Sequence, residues 1–345
     1  MSAPHDVAPG AVKDVRSAET RETWLCLAGG NALGAFHFGV VEALCEARVQ
    51  VHRVAGASIG AITAALWLGG PREEATTRLR RFWNRATDKA GLGILRSWRQ
   101  MSLIRALTYG RPGLFHPSLP GGLLAFPMTL NDDHLLDTDP MRRLLLDLVD
   151  FDALNASPTR FIVIAVDQLT AEDVIFDSAE TSLTVDHLMG SSALPLVFPP
   201  VELDGRVLVD AGMSANLPLA ALFRDPPQRD TLCLASDLWP AADQRAGSPD
   251  AVARRTQDLL FAAQRRHAIA AVGERLGAPL AEASRGVELR LVVHDGSAWE
   301  IAGKAFDFTA ASLLRRQTAG AAAMRQALAS RDRPIRPGWK VVPPA

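Results

Sequence analysis

A chain of 345 residues is long enough for two average domains or for one large α/β domain with a sizeable core. Its 48% hydrophobic and 22% charged residues exclude wholesale disorder and fibrous repeats. A net charge of −1 argues against a dedicated nucleic-acid binder, whose affinity comes largely from neutralising phosphates. The basic residues are nearly all arginine, with lysine only at Lys13, Lys89, Lys304 and Lys340, a bias that reads as codon composition before function. Cys26, Cys45 and Cys233 are widely spaced in apolar stretches. That is neither a metal pattern nor a disulfide framework, and buried free thiols in a reducing compartment are expected. The polar start has no apolar h-region and so no secretory signal. The uncharged runs 24–41 and 54–70 each hold four glycines, which suits buried strand–turn–helix units rather than membrane spans. A cytoplasmic protein is expected.

In chain order, residues 1–22 read as a flexible tail, followed by a strand over 24–27, a Gly-rich turn at Gly29 and Gly30, and a helix to about Arg48. A second strand over 51–55 enters Gly56-Ala57-Ser58-Ile59-Gly60, and Ile59, Ile62 and Leu66 then recur at helical spacing. This order makes a parallel sheet with right-handed crossovers the economical fold. Residues 71–111 carry a net +7, residues 112–129 no charge at all, and residues 130–152 a net −5. Such a stretch between core strands reads as a cap or insertion, set at 71–135, within one domain over 23–330. Pro140 opens a helix capped by Asp139, with Met141, Leu144, Leu145 and Leu148 on one face. Strands over 161–166 and 174–176, a short helix over 184–189 and a proline-rigid path through Pro195 and Phe198-Pro199-Pro200 follow. A strand over 207–209 ends in Asp210-Ala211-Gly212, and another covers 232–235. Ser248-Pro249 starts a helix to about Leu276, and a last strand and helix cover 287–293 and 310–329. Residues 331–345 read as a C-terminal extension.

The pentapeptide around Ser58 fits G-x-S-x-G, a sharp strand-to-helix turn in which Gly56 and Gly60 leave the serine hydroxyl exposed at a helix N-terminus. Backbone N–H groups and the positive end of the helix dipole meet there, as a developing oxyanion needs. The bland reading is a tight turn in which Ser58 only caps the helix. An α/β-hydrolase places its nucleophile after several strands and follows it with an acid and a histidine. Only two short strands precede Ser58, and of His116, His134, His187, His267 and His294 none but His294-Asp295 sits in a turn after a strand with an acid partner. A Ser-His-Asp triad is therefore the weaker reading. Gly29-Gly30-Asn31-Ala32-Leu33-Gly34 departs from the dinucleotide G-x-G-x-x-G at Asn31, and no acid ends the second strand. What remains is a second N–H-rich loop, suited to an oxyanion hole if its strand neighbours that of Ser58. Asp210 beside Gly212 reads first as a turn former. At an ordinary pKa of about 3.9 it is a poor base for a serine, and burial would have to raise it.

Gly29-Gly30-x-x-x-Gly34, Gly56-x-Ser58-x-Gly60, Ser191/Ser192 through Phe198-Pro199-Pro200, and Asp210-x-Gly212 resemble, in order and spacing, the patatin-like phospholipases, closest to a bacterial branch. The similarity continues through Asp137-Thr138-Asp139-Pro140-Met141-Arg142, Leu148-Val149-Asp150-Phe151, Asp237-Leu238-Trp239 and Asp307-Phe308. It implies a three-layer α/β/α fold with a mainly parallel sheet. It also implies a Ser58–Asp210 dyad that hydrolyses lipid acyl esters without histidine, an oxyanion hole at Gly29, Gly30 and Asn31, and no metal or cofactor. Two departures bear on activity. Asn31 replaces a loop glycine, and Ala211 replaces a glycine of Asp-Gly-Gly, where a positive φ would strain the turn.

The alternative is a catalytically weak or inactive lipid- or partner-binding protein on the same fold. Segment 71–111, with Trp83, Trp98 and Tyr109 among its cations, could dock peripherally on the inner membrane face. The preferred reading is a helix packed on the core with its arginines solvated or paired with the Asp-rich block. Oligomeric state is not legible.

Overall fold

The computed structural model describes residues 21–88, 96–118, 133–296 and 299–344. The expected N-terminal tail, up to residue 20, and the 119–129 part of the uncharged block lie outside the described residues.

The elements run β1 (Glu22–Leu27), α1 (Ala35–Glu46), β2 (Arg53–Ala57), α2 (Ile59–Leu68), α3 (Ala75–Ala86), α4 (Arg96–Tyr109), then the short strands β3 (His116–Pro117) and β4 (Leu136–Asp137). They continue through α5 (Asp139–Leu148), α6 (Phe151–Asn155), β5 (Arg160–Asp167), β6 (Asp173–Asp177), α7 (Val185–Ser191), β7 (Val201–Leu203) and β8 (Arg206–Asp210). The last are α8 (Leu219–Leu222), β9 (Thr231–Asp237), α9 (Pro249–Glu282), β10 (Gly286–Val293), α10 (Ala310–Leu328) and β11 (Gly338–Val342).

The main sheet has the order β11-β10-β9-β1-β2-β5-β8-β7, with β6 also paired to β5. From β11 to β5 every neighbour is parallel, while β6, β7 and β8 run antiparallel to their neighbours. Parallel strands need cover on both faces, and alternate side chains of β1 supply it. Leu25 and Leu27 enter a core built with α1, α2, α3 and α10, whereas Trp24 and Cys26 enter a second core built with α8 and α9. The architecture is therefore three-layered and α/β, as expected.

The segment read as a C-terminal extension contributes β11, whose Val341 sits opposite Leu289 at the sheet edge. Gly273 of α9 makes room for it, because a Cβ there would lie 2.8 Å from the Trp339 indole nitrogen.

Much of the positive charge of 71–111 is taken up by burial or by ion pairs. Arg78 donates to the Leu66 and Trp67 carbonyls at the end of α2, where the helix itself supplies no N–H donor. Arg99 is buried on Asp307 (2.7 Å) and Glu300, and Arg111 pairs with Asp88 at 3.0 Å. Arg80 reaches Glu42, and Arg81 reaches Asp147 of the Asp-rich block. Met101, Ile104 and Tyr109 of α4 remain exposed. Among the described residues no helix is long and apolar enough to cross a membrane.

Candidate active site

The turn at Ser58 follows directly from β2 and α2. Ser58, between them, adopts φ 53° and ψ −126°, a left-handed conformation that a non-glycine residue holds only under constraint. The glycines two residues to either side have no room for side chains. A Cβ on Gly56 would lie 2.5 Å from the Ala61 nitrogen, and one on Gly60 would lie 2.3 Å from the Leu27 oxygen. The Ser58 N–H donates to Ser191 Oγ at 2.9 Å, and that hydroxyl donates to the Ile164 carbonyl at 2.6 Å. Ser191 thus ties the strained turn to β5, a role that its place in the Ser191/Ser192 motif did not reveal.

Register brings Asp210 to the serine. Ala57 pairs with Ile164 on β5, and the next residue, Ala165, pairs with Asp210 at the end of antiparallel β8. The Ser58 hydroxyl donates to Asp210 Oδ2 at 2.6 Å, and the Gly212 N–H donates to Oδ1 at 2.7 Å. Burial pushes the Asp210 carboxyl up to about 6, although the bonds from Ser58 and Gly212 pull it down. Ala211 is not among the positive-φ residues, so the strain expected there is absent.

β1 places the Gly-rich loop beside this pair, since Leu27 lies opposite Gly56. One expectation for the loop needs correction. The Gly29 N–H is committed to the Asn216 carbonyl at 3.0 Å, so it is not an oxyanion donor. The N–H groups of Gly30 and Asn31 have no acceptor among the described residues. Asn31 takes φ 50°, a conformation asparagine tolerates, and its side-chain Nδ2 is buried without a hydrogen-bond partner.

Ser58, Asp210, Gly30 and Asn31 all line one cavity of about 490 Å³. Its apolar walls come from α2 (Ile59, Ile62), α3 (Phe82, Trp83), α4 (Leu103) and the aromatic residues Phe115, Phe198 and Phe308. Among the described lining residues Asp210 is the one charged group, and none is histidine. The histidines weighed for a triad lie elsewhere. His267 is exposed on α9, and His294 is buried with Nε2 on Glu300 at 3.1 Å. Among the described residues no group of three His, Cys, Asp or Glu is arranged to hold a metal ion.

Residues 25–223, more than half of the chain, match the family model of the patatin-like phospholipases. An uncharacterised NTE family protein of Mycobacterium tuberculosis is 27% identical over 215 residues, 62% of this chain and 49% of that protein. The neuropathy target esterase of Drosophila melanogaster is 39% identical over 71 residues, 21% of this chain and 5% of that one. The chain spans about half the length, or less, of these curated relatives. Among solved structures, VipD from Legionella pneumophila aligns over 91% of this chain and 68% of its own, at 16% identity and TM-score 0.44. The type III effector ExoU aligns over 92% and 54%, at 16% identity and TM-score 0.39. By the family match this chain belongs to the patatin-like phospholipase family.

Proposed function

We propose that the protein hydrolyses lipid acyl esters, with Ser58 as nucleophile and Asp210 as its base. The observation that carries this reading is the 2.6 Å hydrogen bond from the Ser58 hydroxyl to a buried carboxylate, at an apolar cavity large enough for one lipid chain. The family match and the esterase among the relatives support ester hydrolysis as the reaction class.

Asp210, raised to about 6, is ionised at neutral pH yet basic enough to accept a proton. In acylation Ser58 Oγ attacks the ester carbonyl while its proton passes to Asp210 Oδ2. The tetrahedral oxyanion is received by the Gly30 and Asn31 N–H groups and by the positive end of α2. Asp210 then gives its proton to the departing alkoxide, leaving an acyl-serine and an alcohol. In the second half Asp210 takes a proton from water, hydroxide adds to the acyl carbon, and the carboxylic acid leaves as Ser58 recovers its proton. The acyl chain lies along the apolar walls. A cytoplasmic setting, read from the buried thiols of Cys26 and Cys233, belongs to the same proposal.

The test is hydrolysis of p-nitrophenyl esters of increasing chain length by wild type and Ser58→Ala. Wild-type turnover that falls roughly a thousandfold or more in the variant is expected. Equal rates for the two proteins would overturn the assignment, and a wild type inert on every ester would favour a lipid-binding protein.

A further inference from the structure

Beside the oxyanion loop, two side chains from distant parts of the chain, both also lining the cavity, converge on one carbonyl. The Gly29 oxygen accepts Asn216 Nδ2–H at 3.2 Å and the Trp239 indole N–H at 3.0 Å. On its other side Gly29 is held by its own N–H, bound to the Asn216 carbonyl. The loop also rests against the nucleophile, because a Cβ on Gly29 would lie 3.1 Å from Ser58 Cβ. A peptide unit is planar and trans, so a carbonyl and the N–H that follows it point in opposite directions. Holding the Gly29 carbonyl towards Asn216 and Trp239 therefore turns the Gly30 N–H away from them and leaves it without a partner.

We propose that Asn216 and Trp239 are positioning residues: together they clamp the Gly29–Gly30 peptide so that the Gly30 N–H meets the substrate carbonyl oxygen. The proposal rests on the serine-hydrolase reading above. A glycine pair has the softest backbone in the chain and would otherwise rotate, so donor alignment has to come from outside the loop.

Both clamping residues are themselves fixed from one face of α9. Phe261 stacks on the Trp239 ring with centroids 4.2 Å apart. Gln264 accepts the Asn216 N–H at 3.2 Å and donates to the Gly212 carbonyl at 3.3 Å. Arg265 donates to the Trp239 carbonyl at 2.9 Å and pairs with Asp237. These residues are three and four apart, so they share a helix face. Through Gln264 the same face steadies the turn after Asp210, which couples the position of the base to that of the hole.

The test uses Trp239→Phe, which keeps the stacked ring and removes the N–H, and the double variant Asn216→Ala/Trp239→Phe. For the single variant kcat is expected to fall about tenfold. For the double variant it falls about a hundredfold, the lower edge of what losing a hole donor costs. KM should stay within about threefold, because a donor aligned only for the oxyanion acts in the transition state. Affinity for a trifluoromethyl ketone, whose adduct carries an oxyanion, should fall in parallel with kcat. Variants that melt earlier but retain wild-type kcat and ketone affinity would overturn the clamp while leaving the hydrolase reading standing. A wild type with no ester turnover and no ketone binding would instead remove that reading and the clamp with it. If the double variant does not fold, Trp239→Phe alone decides.

Discussion

Replacing Asp210 by Asn should abolish turnover and yet make the protein more stable at alkaline pH. The Asp210 carboxyl is buried and titrates at about 6 in the folded protein, against 3.8 for the ordinary group. The folded state therefore holds this proton more tightly than the unfolded chain does. The stability so gained is full below about pH 4 and is lost as pH rises through about 6. Two pKa units correspond to about 3 kcal/mol. Asn cannot ionise, and its amide can still accept from Gly212 and donate to Ser58, so Asp210→Asn escapes that loss. At roughly 2.1 cal/mol/K of unfolding entropy per residue, 3 kcal/mol is worth roughly 4 °C of Tm in a chain of this length. The assay is a pair of Tm curves from pH 4.5 to 8.5 beside ester hydrolysis. The variant should melt a few degrees above wild type at pH 8, with the gap closing towards pH 4.5. Wild-type kcat/KM should have an acid limb near 6, falling about tenfold per pH unit below it. A variant that melts at or below wild type at pH 8, or an acid limb near 4, would refute the reasoning.

Three further outcomes follow from the site. At φ 50°, Asn31→Gly should keep kcat/KM within roughly threefold, whereas β-branched Asn31→Val adds about 1–3 kcal/mol of strain and should lose most activity. Wild-type rates for the valine variant would show that the loop conformation does not matter. His267→Ala and His294→Gln should leave kcat within about twofold, since neither side chain lines the cavity. A loss of roughly a hundredfold in either would bring a histidine base back into the mechanism. Because Arg78, Arg99 and Arg111 are buried on partners and Arg80 and Arg81 are paired with carboxylates, flotation with anionic vesicles should show no salt-sensitive binding. Binding at low salt that disappears at high salt would make this segment a membrane contact.

What could be read in the sequence follows the range of the interactions involved. The turn at Ser58 was legible because its requirement is local: a strand, a helix and glycines at 56 and 60, where side chains would strike Ala61 and Leu27. Read locally, Asp210 is an ordinary turn residue, and only the resemblance to the patatin-like phospholipases marks it as a base. Its link to Ser58 passes over β5, through a register that no local pattern encodes. The same limit explains the error at Gly29, whose amide partner lies 187 residues away in the chain. Charge counting located the basic segment but not its partners, since Arg78 satisfies helix carbonyls and Arg99 reaches Asp307. β11 is hard to read locally because it is five residues long, although Trp339, Lys340 and Val341 alternate in character.

The measurement that bears most directly on the central claim is labelling by a fluorophosphonate probe, wild type beside Ser58→Ala, with the modified peptide identified by mass spectrometry. An activated serine predicts one adduct, on Ser58, formed by wild type and absent from the variant. A wild type that stays unlabelled, or an adduct that persists in Ser58→Ala, would contradict the account.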